Sequence, residues 1–539
     1  MEKVFSAINL STEHDGALAI VGKKDVLVYL NERFSRKKHS NLRAFDISNH
    51  RNARKILNIK SSFSEILAIS KNDNHHLAHA SSAYFSTSLD SAIILVCDGM
   101  GPYKDKYIST SYWLGEGNSL KMLWGNPEEN LSYNSIGHLY SAITYYCGFE
   151  FWAEGKTMGL SALGKSTDLS KNLNKFVKFL PDGKYEIDKD LINFCFSLRY
   201  RDEKIFTDYY KNHELYKKKF EKILGPYREV GGTISPEHMN LAFELQQITE
   251  RLILHVVEHL HKQYNSDNIC LSGGVFLNGL ANAKIKKQFG YKNVAIKPFC
   301  IDDGQALGMA LYNKYNNTGL KRCDIDSPYL GLAYTSNDIL KELNKHKETL
   351  EYSKATKEKL TKSAAQSIAD GKIIGWYQGR SEIGPRALGN RSILADARNS
   401  RMKDIINNRI KHREKFRPFA PAVILEKANE YFELEGPSPY MLAVVKVKNK
   451  MRDLIPAVTH VDGTARVQTV TQDMSPLFYE LINNLHGITG VPVVLNTSFN
   501  DNGEPIVETP ADAINTFLNI DLDILFIGDY VVTKRKKNA

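Results

Sequence analysis

At 539 residues the chain is longer than one hydrophobic core can serve, so two large domains or three ordinary ones are expected. A hydrophobic share of 42% without excess Gly or Pro excludes extended disorder, and the lack of any apolar run of about 18 residues excludes a membrane span. The net charge of +10, from 71 basic against 61 acidic side chains, suits an enzyme of phosphorylated substrates and would also draw nucleic acid loosely.

Val4 to Leu10 opens the chain as a short apolar strand that breaks at the polar run Ser11 to Gly16. Strands at Ala17–Val21 and Val26–Leu30, joined by Gly22-Lys23-Lys24-Asp25, complete a meander. Ser91–Cys97 is apolar almost throughout, the mark of a strand buried on both faces, and ends at Asp98-Gly99-Met100-Gly101. From Glu237 to Tyr264, Leu241, Leu245, Ile248, Leu252, Val256 and Leu260 form one apolar stripe and predict a long helix. A strand at Ile269–Leu271 then runs into Ser272-Gly273-Gly274, with a new helix beyond Asn278. The stretch from Lys314 to Lys359 is polar and weakly periodic, and a domain boundary is expected there, near residue 345. Beyond it, Lys372–Tyr377 and Val491–Leu495 read as strands among alternating strand and helix signals that continue to Val532. The six cysteines are dispersed without a CxxC pair, which argues against a zinc ribbon or a disulfide framework. With no signal-peptide h-region after Met1, a cytoplasmic protein is expected.

Three groups of residues carry chemistry. His75 and His79 are spaced i, i+4, so on a helix both can face one metal ion, though the same spacing also serves histidines that only hydrogen-bond within a fold. The glutamate of HExxH is missing, which removes that protease chemistry. Asp98, at the end of a buried strand, and Asp302, in Ile301-Asp302-Asp303-Gly304, are candidate carboxylate ligands by position, and such a mixed set suits iron, manganese or zinc. The second group is the glycine turns at Asp98-Gly99, Ser272-Gly273-Gly274 and Asp303-Gly304, where backbone N–H groups can approach phosphate. Lys156, in Glu154-Gly155-Lys156-Thr157, could neutralise one. The third and densest is Gly379 to Ser392 with Arg380, Arg386 and Arg391, followed by Lys411, Arg413, Lys415 and Arg417. Arginine forks set among Gly and Pro after a strand indicate a polyanion pocket rather than a solvated charge run. Arg466 and the cluster Asn496-Thr497-Ser498-Phe499-Asn500 add donors, and the Walker A loop GxxxxGK[ST] is absent.

These residues together resemble the NodU/CmcH family of carbamoyltransferases. The resemblance rests on His14-Asp15, the run Glu32 to His39 (ERFSRKKH), the His75–His79 segment, Asp98-Gly99, Gly155–Leu160, Ser272–Asn278, Gly384–Ser392, Phe416–Pro421 and Leu495–Asn500. It implies an α/β chain with an N-terminal actin/hexokinase-like (RNase H-like) metal-binding domain, residues 1–345, and a C-terminal α+β YrdC-like domain, residues 346–539. The C-terminal domain would form carbamoyl-adenylate from carbamoyl phosphate and ATP, with Mg2+ accompanying ATP, through Arg386, Arg391, Lys411, Arg417, Arg466, Asn496 and Ser498. The N-terminal domain would pass the carbamoyl group to an acceptor hydroxyl on a small molecule or sugar. Nucleic acid is the less favoured acceptor. By the same resemblance His75, His79, Asp98 and Asp302 hold iron, His14 stands at the acceptor hydroxyl, and Lys156, Gly273, Gly274 and Asn278 face the adenylate. The chain departs from some relatives in having Thr12 where they carry an acid, and Ser272 where they often carry Ala.

Overall fold

The computed structural model describes residues 5–9, 15–22, 25–40, 66–69, 75–103, 106–128, 133–199 and 207–535, so His14 lies outside the described residues. Contacts gather the chain into two compact units, both discontinuous in sequence. The first comprises residues 1–71, 85–88 and 297–539, and the second residues 72–84 and 89–296. The boundary expected near residue 345 falls inside the first unit, between the helix Ser336–Lys345 and the strand Leu350–Lys354. It stays an expectation about sequence modules, not about compactness.

The second unit is built on a five-stranded sheet in the order Asn293–Ile296, Asn268–Ser272, Ser91–Tyr103, Lys106–Glu116, Ser119–Gly125. The last three form an antiparallel meander, and the first two run parallel to its opening strand. That central position explains the apolar run, since Ala92 to Cys97 are each at most 1% exposed. The strand is longer than its apolar run, and its pairing register shifts between Cys97 and Gly101. This irregularity re-aims the backbone at Asp98, as bulges beside functional sites do. The predicted long helix spans Pro236–Tyr264, its apolar stripe fully buried, and the Ser235 N–H at its start donates to His238 Nδ1 at 3.0 Å.

A four-stranded sheet in the first unit follows the same plan. Its order is Val26–Leu30, Ala17–Val21, Phe5–Asn9, Ile66–Ile69, a meander whose opening strand takes a parallel neighbour on its other side. The helix Gln305–Tyr315 packs on it. The rest of the unit is an eight-stranded mixed sheet. Alternation along its strands sends Ile393, Ala395 and Leu495 into one apolar cluster, and Leu394, Trp376 and Val494 into another, the latter covered by the helices Lys357–Ala369 and Pro476–Thr489. Among the described residues all six cysteines are free, and no helix is long and apolar enough to cross a membrane.

One half-buried histidine gives this unit a pH-sensitive stability. His460 shares a 3.0 Å hydrogen bond with Thr464 Oγ1, and burial pushes its pKa from 6.5 to about 4, against an opposing pull from Asp462. The folded state keeps this ring neutral while the unfolded chain takes up a proton, so the site's contribution is present above pH 6.5 and is lost as pH falls toward about 4. Across that window the wild type is expected to lose on the order of 1–3 kcal/mol at this position. His460→Gln should flatten that part of the curve in urea titrations run at several pH values; an unchanged slope would assign it elsewhere.

Candidate active site

Two groups of chemically active residues stand out, one in each unit. In the second unit the helix His75–Phe85 presents His75 and His79 on one face, with ring centroids 4.9 Å apart. His75 Nε2 lies 2.8 Å from Asp98 Oδ2 and His79 Nε2 lies 3.7 Å from the same oxygen. His76 turns away and shares a 2.7 Å hydrogen bond with Ser111 Oγ. Burial works to raise the pKa of Asp98, but hydrogen bonds and charge from His75 and His79 outweigh it and hold the carboxyl well below the usual range. The Gly274 N–H, 2.9 Å from Asp98 Oδ1, supports the anion further. Gly273 makes this turn possible: its φ is +103°, and a Cβ there would stand 2.0 Å from the Cys97 carbonyl oxygen.

Two imidazoles and an ionised carboxylate within 4.8 Å of one another are a donor set that fits a divalent transition metal. Ser272, treated as incidental in the sequence, shares a 3.1 Å hydrogen bond with His79 Nδ1 and so orients the ring for ligation through Nε2. Ser272→Ala is therefore expected to weaken metal binding about tenfold without unfolding the protein, measured by competition with a chelator. Asp302 belongs to the first unit, where its Oδ1 accepts from Gln305 Nε2 at 2.8 Å. Asn278 caps the helix Gly279–Gln288, accepting from the Ala281 N–H at 3.2 Å, and exchanges hydrogen bonds with Gln246. Lys156 sits half-buried with its ammonium 5.9 Å from the Phe149 ring centroid.

In the first unit four half-buried arginines share one neighbourhood. Arg386, Arg413, Arg417 and Arg466 depress one another or are depressed by burial: Arg386 to about 10, Arg413 to about 9, Arg466 further, each chiefly by desolvation and then by neighbouring guanidinium charge. The Glu414 carboxylate, 3.8 Å away, opposes the shift of Arg417. The buried Nε atoms of Arg386 and Arg466 have no hydrogen-bond partner, and neither has Asn496 Oδ1. Arg413 Nε is taken by Asn407 Oδ1 at 2.8 Å, so the idle donors are those of Arg386 and Arg466; converging cations with such donors are what a pocket for a multiply charged anion requires.

Lys411 and Arg391 are tied into the walls. Lys411 ends a widened π turn, Asn407–Lys411, and its ammonium donates to Ser498 O at 2.7 Å and to Asn500 O and Oδ1, both at 2.8 Å. Burial and then the charges of Arg413, Lys38 and Arg417 push its pKa well down. Ser498 Oγ donates to Asn500 Oδ1 at 2.6 Å. Arg391 is fully buried, stacks 3.7 Å above the Tyr377 ring, and donates to the carbonyls of Gln378, Asn390, Leu332 and Gly379. A third cluster, also in the first unit, joins Asp15, Glu32 and His39, with His39 Nδ1 2.9 Å from Asp15 Oδ1 and the His39 N–H donating to Glu32 Oε2 at 3.2 Å.

Comparison with known proteins decides the family. Carbamoyltransferase N-terminus matches residues 45–311 and Carbamoyltransferase C-terminus matches residues 365–534. Nodulation protein NolO of Bradyrhizobium diazoefficiens is 34% identical over 467 residues, covering 86% of this chain and 79% of that protein. The chain belongs to the carbamoyltransferase family. Another relative, Nodulation protein NolNO of Sinorhizobium fredii, is 37% identical over 468 residues, covering 86% of this carbamoyltransferase and 64% of the relative. An uncharacterized protein of Synechocystis is 35% identical over 489 residues, with 86% and 76% covered. A solved structure, full-length HypF in the phosphate- and nucleotide-bound form, aligns with a TM-score of 0.34 at 15% identity over 58% of this chain and 56% of that one, too slight a likeness to argue from.

For this carbamoyltransferase, the sequence placed Ser272, Glu382 and Asn500 inside its motifs without giving them the partners they have in the structure. Each acts through hydrogen bonds to a residue distant in sequence or to backbone, and a single chain carries no sign of such a pairing. Arg413 was visible among the basic residues, and the structure puts it with the other three arginines.

Proposed function

We propose that this carbamoyltransferase works in two half-reactions, first joining carbamoyl phosphate to ATP to give carbamoyl-adenylate with release of phosphate and pyrophosphate, then transferring the carbamoyl group to a hydroxyl and releasing AMP. The observation that carries this reading is the group of four arginines, two of them (Arg386 and Arg466) with idle buried Nε donors, because adenylation brings together two anionic substrates. Arg386, Arg413, Arg417 and Arg466 bind the phosphates in this reading, Mg2+ accompanies ATP, and Lys411, Arg391, Asn496 and Ser498 set the pocket walls. The mixed eight-stranded sheet supports a YrdC-like module. The plan repeated in the two smaller sheets supports an RNase H-like, actin/hexokinase-like origin for the rest.

His75, His79 and Asp98 hold a divalent metal in this proposal, iron by the resemblance, and the ion when bound supplies a Lewis acid. Ser272 keeps the His79 ring turned, and Asp98 stays ionised under the two histidines. Asp302 as a further ligand and His14 at the acceptor hydroxyl rest on the sequence resemblance alone. So do Lys156, Gly273, Gly274 and Asn278 as adenylate contacts. The acceptor is a small molecule or sugar alcohol, so turnover should show little of the salt dependence that nucleic-acid binding imposes.

The test is incubation with ATP and carbamoyl phosphate, following pyrophosphate and AMP with and without candidate alcohols. Pyrophosphate that depends on carbamoyl phosphate supports the activation step. Pyrophosphate formation indifferent to carbamoyl phosphate would sink it.

A further inference from the structure

The run Glu32 to His39 carries part of the family resemblance, yet the reaction as proposed leaves its arginines without a task. Arg33 and Arg36 belong to the short helix Asn31–Ser35 and its C-cap. Arg33 is 1% exposed, and its Nη2 donates to the carbonyl of Gly384 at 3.0 Å. Its Nε and Nη1 make no hydrogen bond, and the Glu32 carboxylate stands 4.0 Å off. Gly384 has φ +90°, and a Cβ there would lie 2.1 Å from the Pro298 carbonyl oxygen, so the loop has one narrow path. Two residues on is Arg386. The same loop is folded from within by Glu382, whose Oε1 accepts the N–H groups of Leu388, Asn390 and Arg391 at 2.6, 3.2 and 3.2 Å. Arg33 and Glu382 line one small pocket with Glu508.

Arg36 reaches the opposite wall. Its Nη1 donates to Ile506 O at 2.8 Å and its Nη2 to Pro505 O at 3.0 Å, with Glu504 and Asp512 carboxylates at 3.6 and 3.7 Å. Glu504 O accepts from Asn500 Nδ2 at 2.6 Å, and Asn500 in turn receives the Lys411 ammonium. Two arginines three residues apart therefore hold the Arg386 loop and the Lys411 wall. A buried guanidinium with one hydrogen-bonded nitrogen and two idle ones is a poor device for stability alone, because an apolar side chain would bury there at less cost.

We infer that Arg33 and Arg36 are positioning residues for activation of the carbamoyl donor, a clamp that sets the two walls of the four-arginine pocket from one helix. The inference rests on the activation step proposed above. Its test uses the full chain with Arg33→Lys and Arg36→Lys, which keep the charge and lose the fork. Two readouts are taken: the KM for carbamoyl phosphate and for ATP in carbamoyl-phosphate-dependent pyrophosphate formation, and amide hydrogen exchange over residues 384–392 and 500–507.

Arg33→Lys should raise the KM for carbamoyl phosphate about tenfold with kcat changed less than about threefold. Exchange should quicken at 384–392 in Arg33→Lys and at 500–507 in Arg36→Lys, with metal content unchanged in both. Unchanged exchange in both segments overturns the clamp. So does a fall in kcat and Tm with KM unmoved, which marks a merely structural role. A wild type that makes no pyrophosphate defeats the activation step and its positioning role together, whereas the exchange data then still decide whether the clamp exists.

Discussion

His79→Ala is expected to abolish carbamoyl transfer, by at least about 100-fold, while carbamoyl-phosphate-dependent pyrophosphate formation stays within about threefold of wild type. His79 is fully buried between Asp98 and Ser272, and its removal leaves His75 and Asp98 as the remaining donors of the second unit's set. Two donors hold a divalent ion far less well than three, so the purified variant should also contain little metal, measured by plasma emission spectroscopy. The anion pocket belongs to the first unit, composed of other residues, and its chemistry should survive. Loss of pyrophosphate formation with transfer from supplied adenylate intact would reverse the division of labour. Asp302→Asn extends the test, since an unchanged metal content there removes Asp302 from the ligand set.

Arg466→Met should do the opposite and should also make the protein more stable. Arg466 is half-buried, its Nε is buried and idle, and the charges beside it are those of Arg386, Arg413 and Arg417. Replacing it with an apolar chain of similar reach removes a desolvated, repelled cation, a change expected to stabilise by about 1–3 kcal/mol in urea unfolding. The same substitution removes a donor aimed at substrate charge, and pyrophosphate formation should fall about 100- to 1,000-fold. Stability gained and activity lost in one variant would mark the cluster as built for an anion. A stability loss would mean that the Arg466 guanidinium has a protein partner in the folded state. Arg391→Ala should behave differently: its guanidinium satisfies four backbone carbonyls, so its removal is expected to lower stability by about 2–4 kcal/mol and to disturb catalysis only through the wall.

That contrast shows where the sequence was legible. Ala17–Val21 and Val26–Leu30 appear as strands with the bounds read from their apolar runs, because every register position there carries its own burial signal. The helix Pro236–Tyr264 was legible for the same reason at period 3.6. The i, i+4 spacing brought His75 and His79 onto one face because helix geometry alone dictates it. The direction of an arginine has no such local signal. Arg386 and Arg391 lie five residues apart in the same basic loop and each has an idle Nε, yet one is half-buried beside the charge of Arg417 and the other is fully buried with its Nη atoms donating to four carbonyls. Long-range pairing was equally silent: the contact of Arg33 with Gly384 joins residues 351 apart, and nothing in either segment names its partner.

The discontinuity of the first unit also has a consequence for synthesis. Its opening four-stranded sheet packs against the helix Gln305–Tyr315, which leaves the ribosome only after the whole of the second unit has been made. At translation rates of about 5–20 residues per second, the meander waits roughly ten to fifty seconds for that cover. During that interval the second unit has all its own strands and can close by itself, while the early sheet lacks both that helix and Leu332, which packs with Leu18, Ile20 and Leu27. Nascent chains halted before residue 297 should therefore be the species that chaperones hold and proteases cut first, with cleavage concentrated ahead of residue 72.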